Sequence, residues 1–459
     1  MQIRPSLPIP AIHPNQAGGL IAVLLPFAVA LALAGWRQKR WIVVGTAVIL
    51  TGVMAVGLLL TSSRAAWLAL AAALLIGLLW PLSQRLARIM PWPPQRIFLL
   101  FLALFLLAGW GLSWVIAGGP LALVGHLPGA DSSASRLELY RQTVDLIADF
   151  PFTGGGLASF PGLYSQYIAV TPFFLFDYSH NLWLDVAVEQ GIAGGLVLIL
   201  LYAGSVGLLW RVVTAVPLPE RSHEDYLVWA TAVSLLVLIL HGLVDDAIYG
   251  GLGTPLLFLL PGMIVFLAPA SETDHFARPT SILAAHNRRI AGGVLLLLVL
   301  VGGLVNRRQV AAEWYANWGA VLMARTELAD WPTGRWDDGR NLAALTPAQA
   351  QFQRAVALDE TNVTAQYRLG LIAMLGRDYA TAVTHLEISH EQNPDHRGIV
   401  KSLGYSYVWS GDLVQGAVLL TAISEAGREM AVYSWWWQEQ GEADLAQRAA
   451  EMAAVLNDA

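Results

Sequence analysis

The chain has 459 residues, of which 56% are hydrophobic and 13% charged, with a formal net charge of -6. Soluble domains carry about 25% charged residues, so most of this chain belongs in lipid, and no basic patch suggests a nucleic-acid partner. The absence of cysteine excludes disulfides, thiolate catalysis and Cys-ligated metal centres. The N-terminal segment, residues 1–16, is Pro-rich and lacks a basic region followed by an apolar core. It is not a cleavable signal peptide.

Eight apolar runs follow, at Gly18–Leu33, Trp41–Leu60, Ala65–Trp80, Ile97–Ala117, Leu182–Trp210, Leu227–Val244, Leu252–Ala268 and Ile290–Leu304. A membrane span needs about 20 apolar residues. Leu182–Trp210 is long enough to tilt or protrude, whereas Ala65–Trp80 and Ile290–Leu304 are short. The fold class expected is all-α: a polytopic bundle of about eight spans over residues 17–305, and a soluble helical domain over 306–459. Arginines and lysines cluster in alternate loops, at Arg37–Arg40, Arg85–Arg96, Arg211–Arg221 and Arg278–Arg289. The positive-inside rule makes these loops cytoplasmic. The long loop 118–181, the N-terminus and the tail are then extracytoplasmic, and the location is a cytoplasmic membrane crossed several times. An external N-terminus without a signal suggests that earlier spans are missing.

From about Arg308 the composition changes to Ala, Leu, Gln, Glu and aromatics, and a period emerges. Leu369-Gly370 recurs as Leu403-Gly404, Asp378 as Asp412 and Leu386 as Leu420, each 34 residues later. That period resembles tetratricopeptide repeats. Two repeats are clear, Thr361–Pro394 and Asp395–Gly427, with Phe352–Leu358 ending an earlier one and Trp435–Asn457 forming a degenerate last one. Stacked repeats present a concave surface, so a protein partner on the tail is expected. Thr326–Leu345 reads as an inserted loop.

Three groups of residues carry possible chemistry. Arg64, Arg136 and Arg141 stand on the outer side, where positive charge is disfavoured, and a guanidinium fork fits phosphate oxygens. In the loop, Ser135 and Glu138 have the spacing of a capping box. The helix after them places Leu137, Tyr140, Val144 and Ile147 on one face, suited to lying on the membrane or lidding a cavity. His180 opens the fifth span and can take a proton near neutral pH. Asn181, Asp185 and Glu189 follow at four-residue intervals, one polar stripe on a helix. His241 and Asp245 stand four apart at the outer end of the sixth span, able to orient His180 or to hold each other. Asp245-Asp246 alone does not make a metal site, and no Lys-Ser/Thr glycine loop is present for ATP. No metal and no cofactor are expected.

Taken together, these pieces resemble the O-antigen ligase/polymerase family. The resemblance rests on His13-Pro14-Asn15 before a span, Ser62-Ser63-Arg64, Ser135-Arg136 and Pro151-Phe-Thr-Gly-Gly-Gly156. His180-Asn181…Glu189-Gln-Gly191 and His241-Gly-Leu-Val-Asp245 complete it. It implies a GT-C-like bundle that moves a glycan from an undecaprenyl-pyrophosphate carrier to an acceptor hydroxyl at the outer face, without metal and with inversion. Carried over by position, Arg64 and Arg136 grip the pyrophosphate and His180 activates the acceptor. Arg141, Asn181, Asp185, Glu189, His241 and Asp245 contribute to substrate binding. The partners implied are a lipid-linked glycan donor, a glycan or lipid acceptor, and membrane lipids. Rival readings are a polymerase, a non-catalytic membrane scaffold and a transporter.

Overall fold

Apolar composition dictates helices here, because a backbone in lipid must satisfy its own hydrogen bonds. The computed structural model describes residues 13–119, 130–170, 176–215, 224–246, 248–250, 253–268, 290, 293–294, 297, 301–329 and 340–458. Arg221, Arg278, Arg288 and Arg289, most of Ile290–Leu304, the side chain of Ser135 and the core of the Thr326–Leu345 insertion lie outside them. The described residues form two units: residues 1–138, 179–185 and 196–288, and residues 139–178, 186–195 and 289–459.

The first unit holds α1 (Pro14–Arg37), α2 (Trp41–Leu60), α3 (Arg64–Leu86) and α4 (Pro94–Ala117). It also holds most of α7 (Leu182–Ala215), then α8 (Glu224–Gly242) and α9 (Leu256–Leu267). Five helices, α1 to α4 and α7, are long and apolar enough to cross a membrane; α8 and α9 are shorter. Ala65–Trp80, which looked short, is the middle of the 23-residue α3. Both α2 and α4 leave large apolar side chains such as Ile42, Leu60, Leu107 and Val115 exposed. Water would charge about 25 cal/mol for each Å² of that surface, and lipid would not. Close packing falls instead on α1, where Ser234 of α8 donates to the Val23 carbonyl at 2.6 Å. At one end Trp80, Phe98 and Trp210 cluster with 5.4–5.7 Å between centroids, near Arg85, Arg96 and Arg211 in sequence, as interfacial aromatics do.

In the second unit, residues of the loop after α4 and the tail share one core. Leu139, Leu146, Phe150, Phe160 and Tyr167 pack in a single buried cluster with Ala320, Phe352, Tyr367 and Leu403. The loop helix α5 (Ala130–Asp149) starts five residues before Ser135, so that serine lies inside the helix and not at its cap. Its buried face is Leu139, Gln142, Thr143 and Leu146, while Leu137 and Val144 are exposed. The sequence-derived face was therefore offset. Tail packing wins because the 3.6-residue period of Leu139–Leu146 finds partners there.

The tail itself runs α10 (Arg307–Glu327), α11 (Arg340–Ala344), α12 (Thr346–Leu358), α13 (Val363–Leu375), α14 (Tyr379–Gln392) and α15 (Arg397–Ser410). It ends in α16 (Leu413–Leu420), α17 (Ala426–Glu439) and α18 (Ala443–Asp458). The 34-residue period is physical. Asn362 and His396 each cap a helix by accepting the N–H three residues on, from Ala365 and Ile399. Asp378 and Asp412 do the same for Thr381 and Gln415. A Cβ on Gly370 would meet Leu386 at 2.6 Å and one on Gly404 would meet Leu420 at 2.7 Å. Helix pairs α13–α14 and α15–α16 thus repeat one packing contact.

A polar knot is sealed inside this core. Arg368 is fully buried, pairs with Asp149 of α5 and lies over the Tyr167 ring at 3.2 Å. Tyr167 donates to Glu327 at 2.6 Å. Burial pushes the Glu327 carboxyl up to about 7, against the lowering pull of the Tyr167 hydrogen bond and the Arg368 charge. An acid that keeps its proton in the fold and releases it at 4.5 when unfolded favours folding at low pH. Stability of this unit should therefore fall as pH rises from about 4.5 to about 7 and then level off. Thermal unfolding across that range should show the slope, and Glu327→Gln should flatten it.

Candidate active site

The fifth apolar run is one helix by pattern but two by geometry. α7 is broken at Gly191, whose φ of 74° and ψ of 176° no helix contains. The Pro151–Gly156 loop plugs the break. Gly155 and Gly156 donate to the carbonyls of Val188 and Glu189, at 2.8 and 3.0 Å, and Ile192 donates to Pro151 at 2.9 Å. These are the orphan groups of two half-helix ends, satisfied by the loop. Gly154 makes this possible: its φ is +66°, and a Cβ there would stand 2.3 Å from the Glu189 carbonyl. Gly154→Ala should lose about 1–2 kcal/mol to backbone strain and about 1–3 more to overpacking. Thermal stability in detergent is the check.

The first half of α7 begins with a tight turn. His180 has φ 60°, a left-handed conformation that a residue with a side chain adopts at a cost of about 1–3 kcal/mol. Its neighbours hold it there. Asp185 accepts from the Ser179 N–H at 2.9 Å, and the Ser179 hydroxyl accepts from the Asn181 N–H at 3.2 Å. Asn181 caps α7 through the N–H groups of Trp183 and Leu184, and its amide donates to the Leu243 carbonyl at 3.1 Å. The stripe divides accordingly. Asn181 and the buried Asp185 bind backbone and fix the turn, while Glu189, also buried, sits beside the glycine plug.

Asp245 is the hub. It follows α8 and is fully buried. Its Oδ2 accepts from the Asn15 side chain at 2.7 Å, lies 3.6 Å from His180 Nδ1 and 4.0 Å from Arg136 Nη2. Arg136 also donates to the Val244 carbonyl at 3.3 Å. Burial alone would raise the Asp245 carboxyl. The His180 contact and the charges of His241, His180 and Arg136 outweigh it and hold the group below the ordinary carboxylate range. The buried His241 lies one turn before, its carbonyl accepting the Asp245 N–H at 2.8 Å.

Arg136 and His180 thus converge on Asp245. Arg64 makes no ion pair with a described residue; it is exposed. Ser63 before it packs on Gly18, where a Cβ would stand 2.7 Å from the serine Cβ. Gly18 is three residues past Asn15, so Arg64 opens α3 at the end of the bundle where Asn15 meets Asp245. Arg141 is exposed on the part of α5 that belongs to the second unit. Five residues from Arg136, it points about 140° away around the helix. Asn15 was missed as a site residue. Its signal was the His13-Pro14-Asn15 string opening α1, where His13 caps the helix by accepting the Asn15 N–H. Among the described residues no cluster of His, Asp and Glu is arranged to hold a metal ion.

The family model of the O-antigen ligase matches residues 49–199. It covers a third of the chain and supports a multi-pass membrane protein of O-antigen ligase/polymerase type, with a glycosyltransferase-like activity. The matched stretch includes Arg64, Arg136, Arg141, His180, Asn181, Asp185 and Glu189. Asn15, His241 and Asp245 lie outside it, and only the fold joins them to His180. No curated protein and no solved structure matches the chain.

Proposed function

We propose that the chain transfers a glycan from a polyprenyl-pyrophosphate carrier to an acceptor hydroxyl, with His180 as the base and Arg136 and Arg64 on the leaving diphosphate. The observation that carries this reading is the meeting of His180 and Arg136 at Asp245. A carboxylate facing Nδ1 favours the tautomer protonated there, which puts the lone pair on Nε2. Nε2 then takes the acceptor proton while the hydroxyl oxygen attacks the anomeric carbon. Displacement from the face opposite the diphosphate inverts that centre. The leaving group gains negative charge as the bond breaks, and guanidiniums stabilise it without a metal. Arg136 donates one N–H of its five-donor fork to the Val244 carbonyl and pairs with Asp245 at 4.0 Å, which fixes the direction of the rest.

The shared core of outer loop and tail adds a topological argument. Both must lie on one face of the membrane, so an even number of crossings separates them. α7, α8 and α9 supply three, and the fourth that the sequence leads one to expect, Ile290–Leu304, lies mostly outside the described residues. With arginines on the opposite side, that shared face is extracytoplasmic. The tail then reads as a tetratricopeptide-like module on that face of the membrane. A cleft of about 520 Å³, lined by Gln349, Gln353, Ile372, Asp378, Thr381 and His385 among others, offers a protein partner its polar groups.

The test is transfer itself. Full-length protein in liposomes should consume a polyprenyl-diphosphate glycan and leave the free carrier diphosphate, with undiminished rate after exhaustive chelation. Carrier turnover absent with every hydroxyl acceptor, or lost with the chelator, would reject the reading.

A further inference from the structure

Val310, Trp314 and Trp318 recur every four residues on α10 and stand out from the fold, 45%, 49% and 37% exposed. The opposite face, with Ala312, Ala316, Ala320 and Met323, is buried in the core. Two indoles and a valine in one stripe are costly to leave in water.

Three observations say what covers them. The first is chain continuity. Residues 301–305 are helical and end an apolar stretch, with Val301, Leu304 and Val305 exposed. Asn306 donates to Gly302 at 3.0 Å and Val310 to Asn306 at 2.9 Å, so α10 leaves the apolar segment without a loop. The second is a tie to α7. Buried Asn317 accepts from the Phe152 N–H at 3.0 Å, and the rings of Phe152 and Trp314 lie 5.6 Å apart. Pro151, next to Phe152, accepts from Ile192, which opens the apolar second half of α7. Two separate routes therefore bring Trp314 to the level where apolar helix begins. The third is charge. Arg307 and Arg308 are exposed at the start of α10, and the Arg325 guanidinium lies 6.0 Å over the Trp318 ring. Glu313 turns inward, accepting from Asn362 at 2.9 Å. The exposed face is cationic and aromatic, the composition that seats at phospholipid headgroups.

We propose that α10 is an interfacial helix whose Val310–Trp314–Trp318 face is seated in the headgroup layer of the membrane. The stripe then fixes the height and tilt of the helical-repeat tail over the bilayer.

The chain has no cysteine, so single labels are clean. A fluorophore on Trp318→Cys or Val310→Cys, in full-length protein in liposomes, should lose most of its emission to lipids carrying a headgroup nitroxide. The same label on Val418→Cys, an exposed apolar position of α16, should keep its emission and be quenched by aqueous iodide. Val310→Cys removes no indole, so it reads the site even where Trp318→Cys folds poorly. Iodide quenching at 310 and 318 equal to that at 418, with no lipid quenching, would overturn the proposal. So would efficient cross-linking of the 318 cysteines between two copies, which would make the stripe a dimer interface.

Discussion

Replacing His180 should cut glycan transfer by about 10²–10⁴-fold, the usual contribution of a positioned general base. The variant must be chosen for its backbone. At φ 60° an alanine pays the same strain as histidine with none of its contacts, so His180→Ala risks local unfolding. Asparagine visits left-handed conformations readily, so His180→Asn keeps the turn and removes the base. Both should lose transfer, and His180→Asn should do so with wild-type thermal stability. Asp245→Asn should act through His180: transfer should fall in the single variant and fall no further when His180→Asn is already in place. Asn15→Ala should reproduce part of that loss. Wild-type rates in His180→Asn would end the assignment of the base. A full further loss on adding Asp245→Asn to His180→Asn would detach the carboxylate from the histidine.

How much of this was legible beforehand varies by element. Five of the eight expected spans were readable because lipid imposes a coarse rule: Trp41–Leu60 appears with the boundaries that the apolar run gives. The break in α7 was not, although Gly191 was noted. Hydropathy is blind to φ, and the loop that fills the break comes 35 to 40 residues earlier. The offset face of α5 has a similar cause. Leu137 and Leu139 are both leucines, and only the tail, more than 160 residues away, decides which is buried. The site was half visible. His180, Arg136 and Asp245 stood out by type and position, whereas the choice of Asp245 as hub needed the fold. Asn181 and Asp185 show the opposite bias. Polar residues on an apolar helix suggest a ligand, yet a helix start has orphan N–H groups of its own, and these two side chains are spent near them. In the tail, the 34-residue period was legible because each repeat must bury the same glycine–leucine contact on its own partner helix.

Asp149→Ala should be the most destabilising single change in the second unit, by about 3–5 kcal/mol, the cost of stranding one partner of a buried ion pair. Arg368 is fully buried. With the carboxylate gone, the described groups left around its guanidinium are the aromatic faces of Tyr167, Tyr367 and Phe150 and Glu327, whose carboxyl burial pushes up to about 7. Thr364 would lose its 2.7 Å bond to the same carboxylate. Arg368→Met alone should cost less, since a neutral side chain of similar length replaces the cation and Asp149 retains Thr364. The pair Asp149→Leu with Arg368→Met should recover much of the loss, because burying a pair of charges is itself expensive. Thermal unfolding of the wild type, Asp149→Leu, Arg368→Met and that pair closes a double-mutant cycle, and a coupling below about 0.5 kcal/mol would mean that the two groups do not meet. The asymmetry of that cycle has a meaning for the chain. Asp149 lies in the loop between α4 and α7 and Arg368 in the tail, so the pair stabilises little in sum, yet loss of either member strands a charge at the seam of loop and tail.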